Sequence, residues 1–242
     1  MSFHLEIFES LPSTNTYLMD LTKKNAKPWT VIYAKNQTSG KGYAGNVWKV
    51  SANENLTFSF YLETDFEYKD LIFLNEWVAN GLQCYLSQFV SEVKVKWPND
   101  LVANDKKICG VLIESYRKNN LMHTVIGIGL NVNQISFENI KKATSLKLLT
   151  DKTFDLLTVL SDLMTCFLDQ FLLLENHLFE EIHQNYQNHL FRKDTLSVFK
   201  INNELHKGYI RKSDVNGCLW VEFLNGEAKV FQHKELELIY GE

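Results

Sequence analysis

Residues 94–100 place two polar side chains directly after a predicted strand. The run Lys-Val-Lys-Trp alternates in polarity, and Pro98 holds the residue before it in an extended conformation, so the strand ends there. Asn99 and Asp100 therefore sit at a strand end, where an amide and a carboxylate can face a pocket. We interpret this segment as one wall of a binding site.

A lysine in the following segment is predicted to point inward. Side chains alternate across a strand, which places Lys107 on one face with Cys109 and Val111, opposite Ile108. A cation on such a face needs a phosphate or a carboxylate partner. A solvated surface position is the usual one for a lysine, but Gly110 and the nearby Pro-Asn-Asp run favour an anion-binding role.

The glycines are concentrated in two places. Six of the eleven form two groups, which are Gly40, Gly42 and Gly45, and Gly110, Gly127 and Gly129. Glycine is costly in entropy and useful where a backbone bends sharply or a ligand approaches closely. The first group lies in a loop that would present Lys41, and the second leaves a strand face open to a flat ligand or another backbone. Ordinary turns and tight strand packing are the alternative explanations.

The loop glycines also match the Gly-x-Gly-x-x-Gly spacing of dinucleotide-binding folds. That interpretation fails, because these glycines open no helix of apolar periodicity and no βαβ unit with a suitably placed acidic residue follows. Near the N-terminus, Ser13-Thr14-Asn15 precedes a short amphipathic run, and Ser13 or Thr14 can cap a helix there.

Hydrophobic periodicity predicts the elements that hold these segments in place. Predicted strands cover residues 31–34, 56–62, 93–97, 108–115 and 125–132, and helical regions cover 73–90 and 154–190. After Phe191 the pattern changes to short alternating runs over residues 196–201, 205–210, 218–223 and 228–231. Asn-Asn and Asn-Gly pairs separate these runs and indicate hairpins. The chain is thus predicted to form domains of residues 1–190 and 191–242, the second small and β-barrel-like.

The composition is that of an ordinary globular protein. The 242 residues are 45% apolar and 22% charged, and 25 basic against 29 acidic residues give a net charge of −4. No long block of one charge sign is present, which argues against broad electrostatic binding of nucleic acid and leaves room for a local basic pocket.

Cysteine usage and the absence of long apolar stretches predict a soluble cytoplasmic protein. The four cysteines, Cys84, Cys109, Cys166 and Cys218, form no Cys-x-x-Cys pair, so we expect buried thiols rather than disulfides or a metal site. The first residues lack the features of an export signal. The most apolar stretch, residues 167–174, is short and interrupted by polar residues, which predicts no membrane span.

Taken together and in order, these segments resemble the catalytic domain of biotin protein ligases. The matching pieces are Ser13-Thr14-Asn15, Gln37-Thr38-Ser39-Gly40-Lys41-Gly42, Gly45-x-x-Trp48, Lys96-Trp97-Pro98-Asn99-Asp100-Leu101, Lys107-x-x-Gly110 and Gly127-x-Gly129-x-Asn131. Trp-Pro-Asn-Asp followed by Lys-x-x-Gly-x-x-x-Glu, with the glycine loop upstream, is the specific part of the match. The β-rich tail resembles the family's small SH3-like C-terminal domain, so the resemblance covers essentially the whole chain.

The resemblance implies an α+β fold and a two-step reaction. The fold would be a mixed β-sheet packed with helices, as in class II aminoacyl-tRNA synthetases and biotin ligases, plus the SH3-like barrel. The reaction would form biotinyl-5′-AMP from biotin and ATP and then transfer biotin to one lysine of a biotin carboxyl carrier protein domain of acetyl-CoA carboxylase or a related carboxylase. Mg²⁺ would accompany ATP without a dedicated protein cage, and the protein would be a monomer or a homodimer.

The resemblance also assigns roles to individual residues. Lys107 and Lys41 would be catalytic. Biotin would be held by Ser13, Thr14, Asn15, Gln37, Gly40, Lys41, Gly42, Tyr43, Lys107 and Gly110, with the first four around the ureido ring. ATP and the adenylate would be held by Lys41, Trp48, Trp97, Asn99, Asp100, Lys107, Gly127, Gly129 and Asn131. A fixed cation suits the attack of a carboxylate on a phosphate, because the transition state joins two anions.

Two features depart from the family pattern. The family loop is often Gly-Arg-Gly-Arg-Arg-Gly, whereas Lys41 and Tyr43 stand at two of the arginine positions here, so Tyr43 is expected to hold the adenylate less tightly than arginine. Repressor members carry a helix-turn-helix domain before the Ser-Thr-Asn motif, and only twelve residues precede Ser13, so we expect no sequence-specific DNA binding. A lipoate ligase or octanoyltransferase and a non-catalytic biotin sensor are the alternatives.

Overall fold

The structure is a computed structural model that describes residues 2–42, 45–48, 51–137 and 142–240. Its strands are β1 (His4–Phe8), β2 (Thr30–Ala34), β3 (Leu56–Thr64), β4 (Val93–Lys96), β5 (Asp100–Ala103), β6 (Lys106–Lys118), β7 (Leu121–Leu130), β8 (Leu196–Ile201), β9 (Glu204–Ser213), β10 (Leu219–Phe223), β11 (Ala228–Phe231) and β12 (Glu237–Ile239). Its helices are α1 (Thr14–Thr22), α2 (Leu71–Leu86), α3 (Leu146–Thr150), α4 (Leu156–Glu175) and α5 (Phe179–Asn188).

Seven strands form one mixed sheet in the order β1-β2-β3-β7-β6-β5-β4. Only β1 and β2 are parallel, and every other neighbouring pair is antiparallel. The long central strands β3, β7 and β6 are joined in unbroken register, and Asn119 and Asn120 make the β6–β7 turn with positive φ angles of 52° and 64°. The predicted α+β class with a mixed sheet is therefore confirmed.

Helices cover both faces of this sheet, which explains why its central strands are apolar on both sides. Helices α2, α4 and α5 contact one another over one face, and their apolar residues join the main core cluster. Helix α1 lies on the other face, where its Leu18 packs with Ile32, Tyr61 and Val125 in a second, smaller cluster. The polar cleft described below also lies on the α1 side.

The remaining five strands form an antiparallel sheet in the order β11-β10-β9-β8-β12. Asn202 and Asn203 both have positive φ, 49° and 67°, as the tight β8–β9 hairpin requires. The four predicted strands of this region are present, and β12 adds a strand that the pattern did not reveal. The SH3-like barrel and the boundary at residue 190 stay predictions.

The two sheets are joined by hydrogen bonds from helix α5 and from the turn after β4. The Gln187 amide donates to the Ser213 carbonyl (2.5 Å) and accepts from the Ser213 N–H (3.2 Å). The Trp97 indole Nε1 donates to the Gly217 carbonyl at 3.0 Å. Tyr186 donates to the Pro98 carbonyl at 3.0 Å, so α5 also holds the turn that leads to Asp100.

The predicted helical region 154–190 is two helices rather than one. Helix α4 ends at Glu175, and His177 adopts a left-handed conformation (φ 50°) before α5 begins at Phe179. The N–H groups of His177 and Leu178 bond back to carbonyls of the last turn of α4, which satisfies that helix end.

Two further expectations need correction. Helix α4 is long and apolar enough to cross a membrane by length and composition, whereas the apolar stretch at residues 167–174 predicted no membrane span. Seven of its residues between Val159 and Leu174, at helical spacing, are buried in the main core cluster. Of the four thiols predicted to be buried, only Cys109 is; Cys84 is exposed, and the other two are half-buried.

Candidate active site

A cleft with a volume of about 230 Å³ lies where α1, the glycine loop and the ends of β4–β7 meet. Most of the residues singled out from the sequence line it, namely Ser13, Thr14, Asn15, Gln37, Lys41, Gly42, Trp48, Trp97, Asn99, Asp100, Lys107, Gly110, Gly127 and Gly129. Lys96, Leu112 and, from the second sheet, His233 line it as well. The tertiary structure thus brings together residues as far apart in the sequence as Ser13 and His233.

A β-bulge turns Lys107 into this cleft. Strand β5 pairs Leu101 with Cys109 and Val102 with Lys107, which leaves Ile108 without a partner residue. The predicted face is therefore wrong: Ile108 and Cys109 both enter the core, and Lys107 shares its face with Gly110. A side chain at Gly110 would lie 3.2 Å from the Lys107 Nζ, so glycine leaves room for the lysine there.

The Lys107 ammonium forms an ion pair with the carboxylate of Asp100. The Nζ–Oδ1 distance is 2.6 Å, and both side chains are partly exposed to the cleft. The same ammonium lies 5.4 Å from the centre of the Trp48 ring. The prediction that this lysine needs an anionic partner is met by Asp100, which an incoming phosphate or carboxylate would have to replace or share.

A second lysine, Lys96, adds positive charge beside this pair. Burial lowers its pKa, and the nearby Lys107 and Lys142 lower it further while Asp100 opposes them. Its Nζ lies 5.5 Å from the centre of the Tyr240 ring. Lys96 belongs to the Lys-Trp-Pro-Asn-Asp motif, and no role was predicted for it. The alternation of lysine and valine along β4 is the sequence signal that places Lys94 and Lys96 on the same face.

The opposite end of the cleft is a network of neutral hydrogen-bonding groups. Ser13 caps α1 by accepting from the Thr16 N–H, which confirms the predicted helix start. The Thr14 N–H donates to the Gln37 Oε1 at 2.7 Å. The Thr14 Oγ1 lies 3.1 Å from that same oxygen and 2.8 Å from the hydroxyl of Ser59. Ser59 was not predicted, although it is a small polar residue in an apolar strand.

Asn15 lies over the middle of the sheet and is held from three sides. Its Oδ1 accepts from the Ser59 hydroxyl at 2.6 Å. Its Nδ2 donates to the Glu114 carboxylate at 2.9 Å and to the Leu112 carbonyl at 3.3 Å. A Cβ on Gly127 would lie 2.1 Å from the Asn15 Oδ1, so this glycine makes room for the Asn15 amide.

The Trp48 indole covers the neighbouring row of the sheet. Gly129 pairs with Gly110, and a Cβ on Gly129 would lie 2.2 Å from the Trp48 ring. In the structure, the open face predicted at Gly127 and Gly129 is therefore covered by the side chains of Asn15 and Trp48. The Trp48 Nε1 is buried without a hydrogen-bond partner among the described residues.

The glycine loop is shaped by short backbone contacts. Gly42 donates to the Asn46 carbonyl at 2.7 Å, and Trp48 donates to the Gly40 carbonyl at 3.0 Å. A Cβ on Gly40 would lie 2.4 Å from the Trp48 carbonyl oxygen, so a larger residue does not fit there. The exposed Lys41 lines the cleft, whereas Tyr43 lies outside the described residues.

Three predicted ligand contacts are engaged elsewhere. The Asn131 side chain donates to the Thr144 carbonyl at 2.9 Å and does not line the cleft. The Asn99 amide donates to the Val111 carbonyl at 2.8 Å, and the Trp97 Nε1 donates to the second sheet. Asn99 and Trp97 still line the cleft, but in the structure their polar atoms brace its walls.

The cleft contains one carboxylate close to its lysines. Asp100 is the only acidic residue among those that line it, and the described residues contain no group of three His, Cys, Asp or Glu side chains that could hold a metal. One carboxylate fits a Mg²⁺ ion that is bound mainly through phosphate oxygens and water. The donor set thus fits a magnesium–nucleotide complex rather than a protein-held metal centre.

Sequence comparison places these segments in a known family. The model of the biotin/lipoate A/B protein ligase family matches residues 7–131, which is more than half of the chain. The bifunctional ligase/repressor BirA of Bacillus subtilis is 27% identical over 237 residues, covering 96% of this chain and 73% of that protein. The biotin–[acetyl-CoA-carboxylase] ligase of Mycobacterium tuberculosis is 29% identical over 150 residues, covering 59% of this chain and 54% of that protein.

Structural comparison agrees over almost the full length. The biotin protein ligase of Aquifex aeolicus in complex with biotin and ATP superposes with a TM-score of 0.80 at 25% identity, covering 98% of this chain and 99% of that one. The Leishmania major enzyme in complex with biotinyl-5-AMP has the same fold, with a TM-score of 0.65 at 16% identity, covering 96% of this chain and all of that one. The chain therefore belongs to the biotin/lipoate A/B protein ligase family.

Proposed function

We propose that this protein activates biotin with ATP to biotinyl-5′-AMP and transfers the biotin to a lysine of a biotin carboxyl carrier domain. The observation that carries this proposal is one continuous cleft with two chemically different ends. One end offers neutral hydrogen-bonding groups around Thr14 and Asn15, and the other offers the cations of Lys107 and Lys96. A substrate that is neutral and polar at one end and anionic at the other fits this arrangement.

The neutral end suits the ureido ring of biotin. That ring has one carbonyl acceptor and two N–H donors, so it needs both donors and acceptors from the protein. Thr14 and Asn15 supply buried oxygen atoms, and Gln37 supplies an amide nitrogen at the edge of the cleft. No charged group is required, since the ring carries no charge.

The cationic end suits the activation step. The biotin carboxylate attacks the α-phosphate of ATP, a bond from the carboxylate oxygen to phosphorus forms, and the bond to the leaving pyrophosphate breaks. Lys107 can balance the charge that two anions bring together, after exchanging Asp100 for the substrate. Lys41 and Lys96 would support the phosphates from either side, and Asp100 would hold the Mg²⁺ ion that neutralises the pyrophosphate.

In the second step, the amino group of the carrier lysine attacks the carbonyl carbon of the mixed anhydride. The new amide bond forms, AMP leaves with the electron pair of the broken C–O bond, and the amine loses a proton. Lys107 would stabilise the departing phosphate in this step as well. The protein's own contribution is thus to hold both substrates in line and to offset negative charge.

The test is the release of pyrophosphate from ATP in the presence of biotin, with lipoate and octanoate in parallel. With ATP present, we expect pyrophosphate release with biotin and not with lipoate or octanoate. The Lys107→Ala variant should lose most of this activity, by roughly a hundredfold or more, while Lys106→Ala, at an exposed position one residue away, should stay close to wild type. Release with lipoate or octanoate would identify the other branch of the family, and no release would indicate a biotin-binding protein without catalysis.

A further inference from the structure

Glu114 lies behind the neutral end of the cleft, beyond the Asn15 side chain that lines it, and takes no part in the proposed reaction. It stands on β6, seven residues after Lys107, and its carboxylate accepts from the Asn15 Nδ2 at 2.9 Å. Among the described residues, no Lys, Arg or His side chain comes within ion-pair distance of it. It is half-buried and also borders a groove on the far side of the glycine loop. Its best contact is therefore the Asn15 amide.

An ionised carboxylate can only accept hydrogen bonds, and this sets the orientation of Asn15. The Nδ2 must face Glu114, where it also reaches the Leu112 carbonyl at the longer distance of 3.3 Å. The Oδ1 is then turned toward the Ser59 hydroxyl. Without Glu114, only the long bond to Leu112 would favour this orientation of the amide over the flipped one.

The orientation of Asn15 passes to the hydroxyl groups beyond it. Ser59 must use its single proton to donate to the Asn15 Oδ1, so toward Thr14 it can only accept. The Thr14 proton is then shared between Ser59 and the Gln37 Oε1, and the Thr14 Oγ1 offers lone pairs to the cleft. The Gln37 Oε1 accepts at the end of this series of hydrogen bonds, so the Gln37 Nε2 is left as a donor.

We infer that Glu114 is a positioning residue that fixes the direction of this hydrogen-bond chain and so prepares the cleft for a ureido group. The inference rests on the function proposed above. The ureido N–H groups need acceptors and the carbonyl needs a donor. The hydrogen bonds that run from Glu114 to Gln37 present both kinds of group in one fixed pattern. A flipped Asn15 would offer an N–H where the substrate requires a lone pair.

The test compares Glu114→Gln with wild type in the pyrophosphate assay, together with calorimetric titration of biotin in the absence of ATP. Glutamine keeps the shape of the Glu114 side chain but can donate as well as accept. The orientation of the Asn15 amide, and with it the direction of the hydrogen bonds beyond it, is then no longer enforced. We expect the KM and the dissociation constant for biotin to rise roughly tenfold, with kcat at saturating biotin and the KM for ATP unchanged. Glu114→Asp, which retains an acceptor-only group, should recover part of the affinity, and Glu175→Gln, at an exposed position, should behave as wild type.

The inference is overturned if biotin affinity in Glu114→Gln stays within twofold of wild type. It is also overturned if the KM values for biotin and ATP rise together with a lowered melting temperature, because that pattern indicates a general structural role. Slower transfer to the carrier lysine at unchanged biotin affinity would likewise refute it and place Glu114 at the carrier. A wild-type protein that releases no pyrophosphate with biotin refutes the proposed function instead, and the calorimetric titration then still tests Glu114.

Discussion

Replacing Gly127 by alanine is expected to weaken biotin binding and leave ATP binding intact. The added methyl carbon would lie 2.1 Å from the Asn15 Oδ1 and 2.8 Å from its Cγ, whereas an ordinary carbon contact is about 3.5 Å or more. Gly127 lies in a central strand with neighbours on both sides, so its backbone has little freedom to retreat. Asn15 must therefore move, by more than about 1 Å.

Moving Asn15 breaks the bonds that hold it. Its contact with Ser59 is a neutral hydrogen bond, worth about 0.5–1.5 kcal/mol, and its contact with Glu114 involves a charged partner, worth about 1.5–3 kcal/mol. Allowing for water that replaces part of these contacts, we expect a loss of about 2–4 kcal/mol in the free energy of unfolding. For a chain of this length, that corresponds to a fall in Tm of about 5–15 °C.

The assay is calorimetric titration of biotin at a temperature where the variant stays folded, followed by the KM for ATP at saturating biotin. Gly129→Ala is the matched control, because it lies on the same strand and face but collides with the Trp48 ring at 2.2 Å. We expect the control to raise the KM for ATP and to spare biotin binding. Equal effects of both variants on biotin would refute the division of the cleft into two ends.

Two further predictions concern the helix that joins the sheets. Gln187→Ala removes both hydrogen bonds to the Ser213 backbone and should lower the free energy of unfolding by about 2–3 kcal/mol, measured by urea denaturation; a change below about 0.5 kcal/mol would contradict this. The hydrogen bond to Glu76 raises the pKa of His183 above 6.5. The stabilisation that protonated His183 gives the folded state is therefore complete below pH 6.5 and is lost as the pH rises through the raised pKa. His183→Gln should therefore show a flatter decline in stability between about pH 6 and pH 9 than wild type, and identical slopes would rule this out.

The motifs and most of the central elements follow from local patterns that are visible in the sequence. Strands β3, β6 and β7 alternate or run apolar over many residues, and the pair Asn119-Asn120 marks the β6–β7 turn, because asparagine tolerates positive φ angles. The short edge strands β1 and β12 carry no such pattern, since an edge strand is half-solvated and its polarity is mixed. The break between α4 and α5 was also hidden, as His177 is not a typical helix-ending residue.

The chemistry of the cleft depended on contacts between distant parts of the chain. Strict alternation assigned Lys107 to the wrong face, because the bulge arises from the register with β5 and leaves no mark in β6 itself. The hydrogen bond from the Asn131 amide to the Thr144 carbonyl joins residues thirteen positions apart and could not be read from the strand pattern around Asn131. Ser59, Glu114 and His233 reach the site only through sheet pairing and the packing of the second sheet. Local patterns record which face of an element is apolar, whereas hydrogen-bond partners are chosen among groups that only the folded chain brings within 3 Å or so.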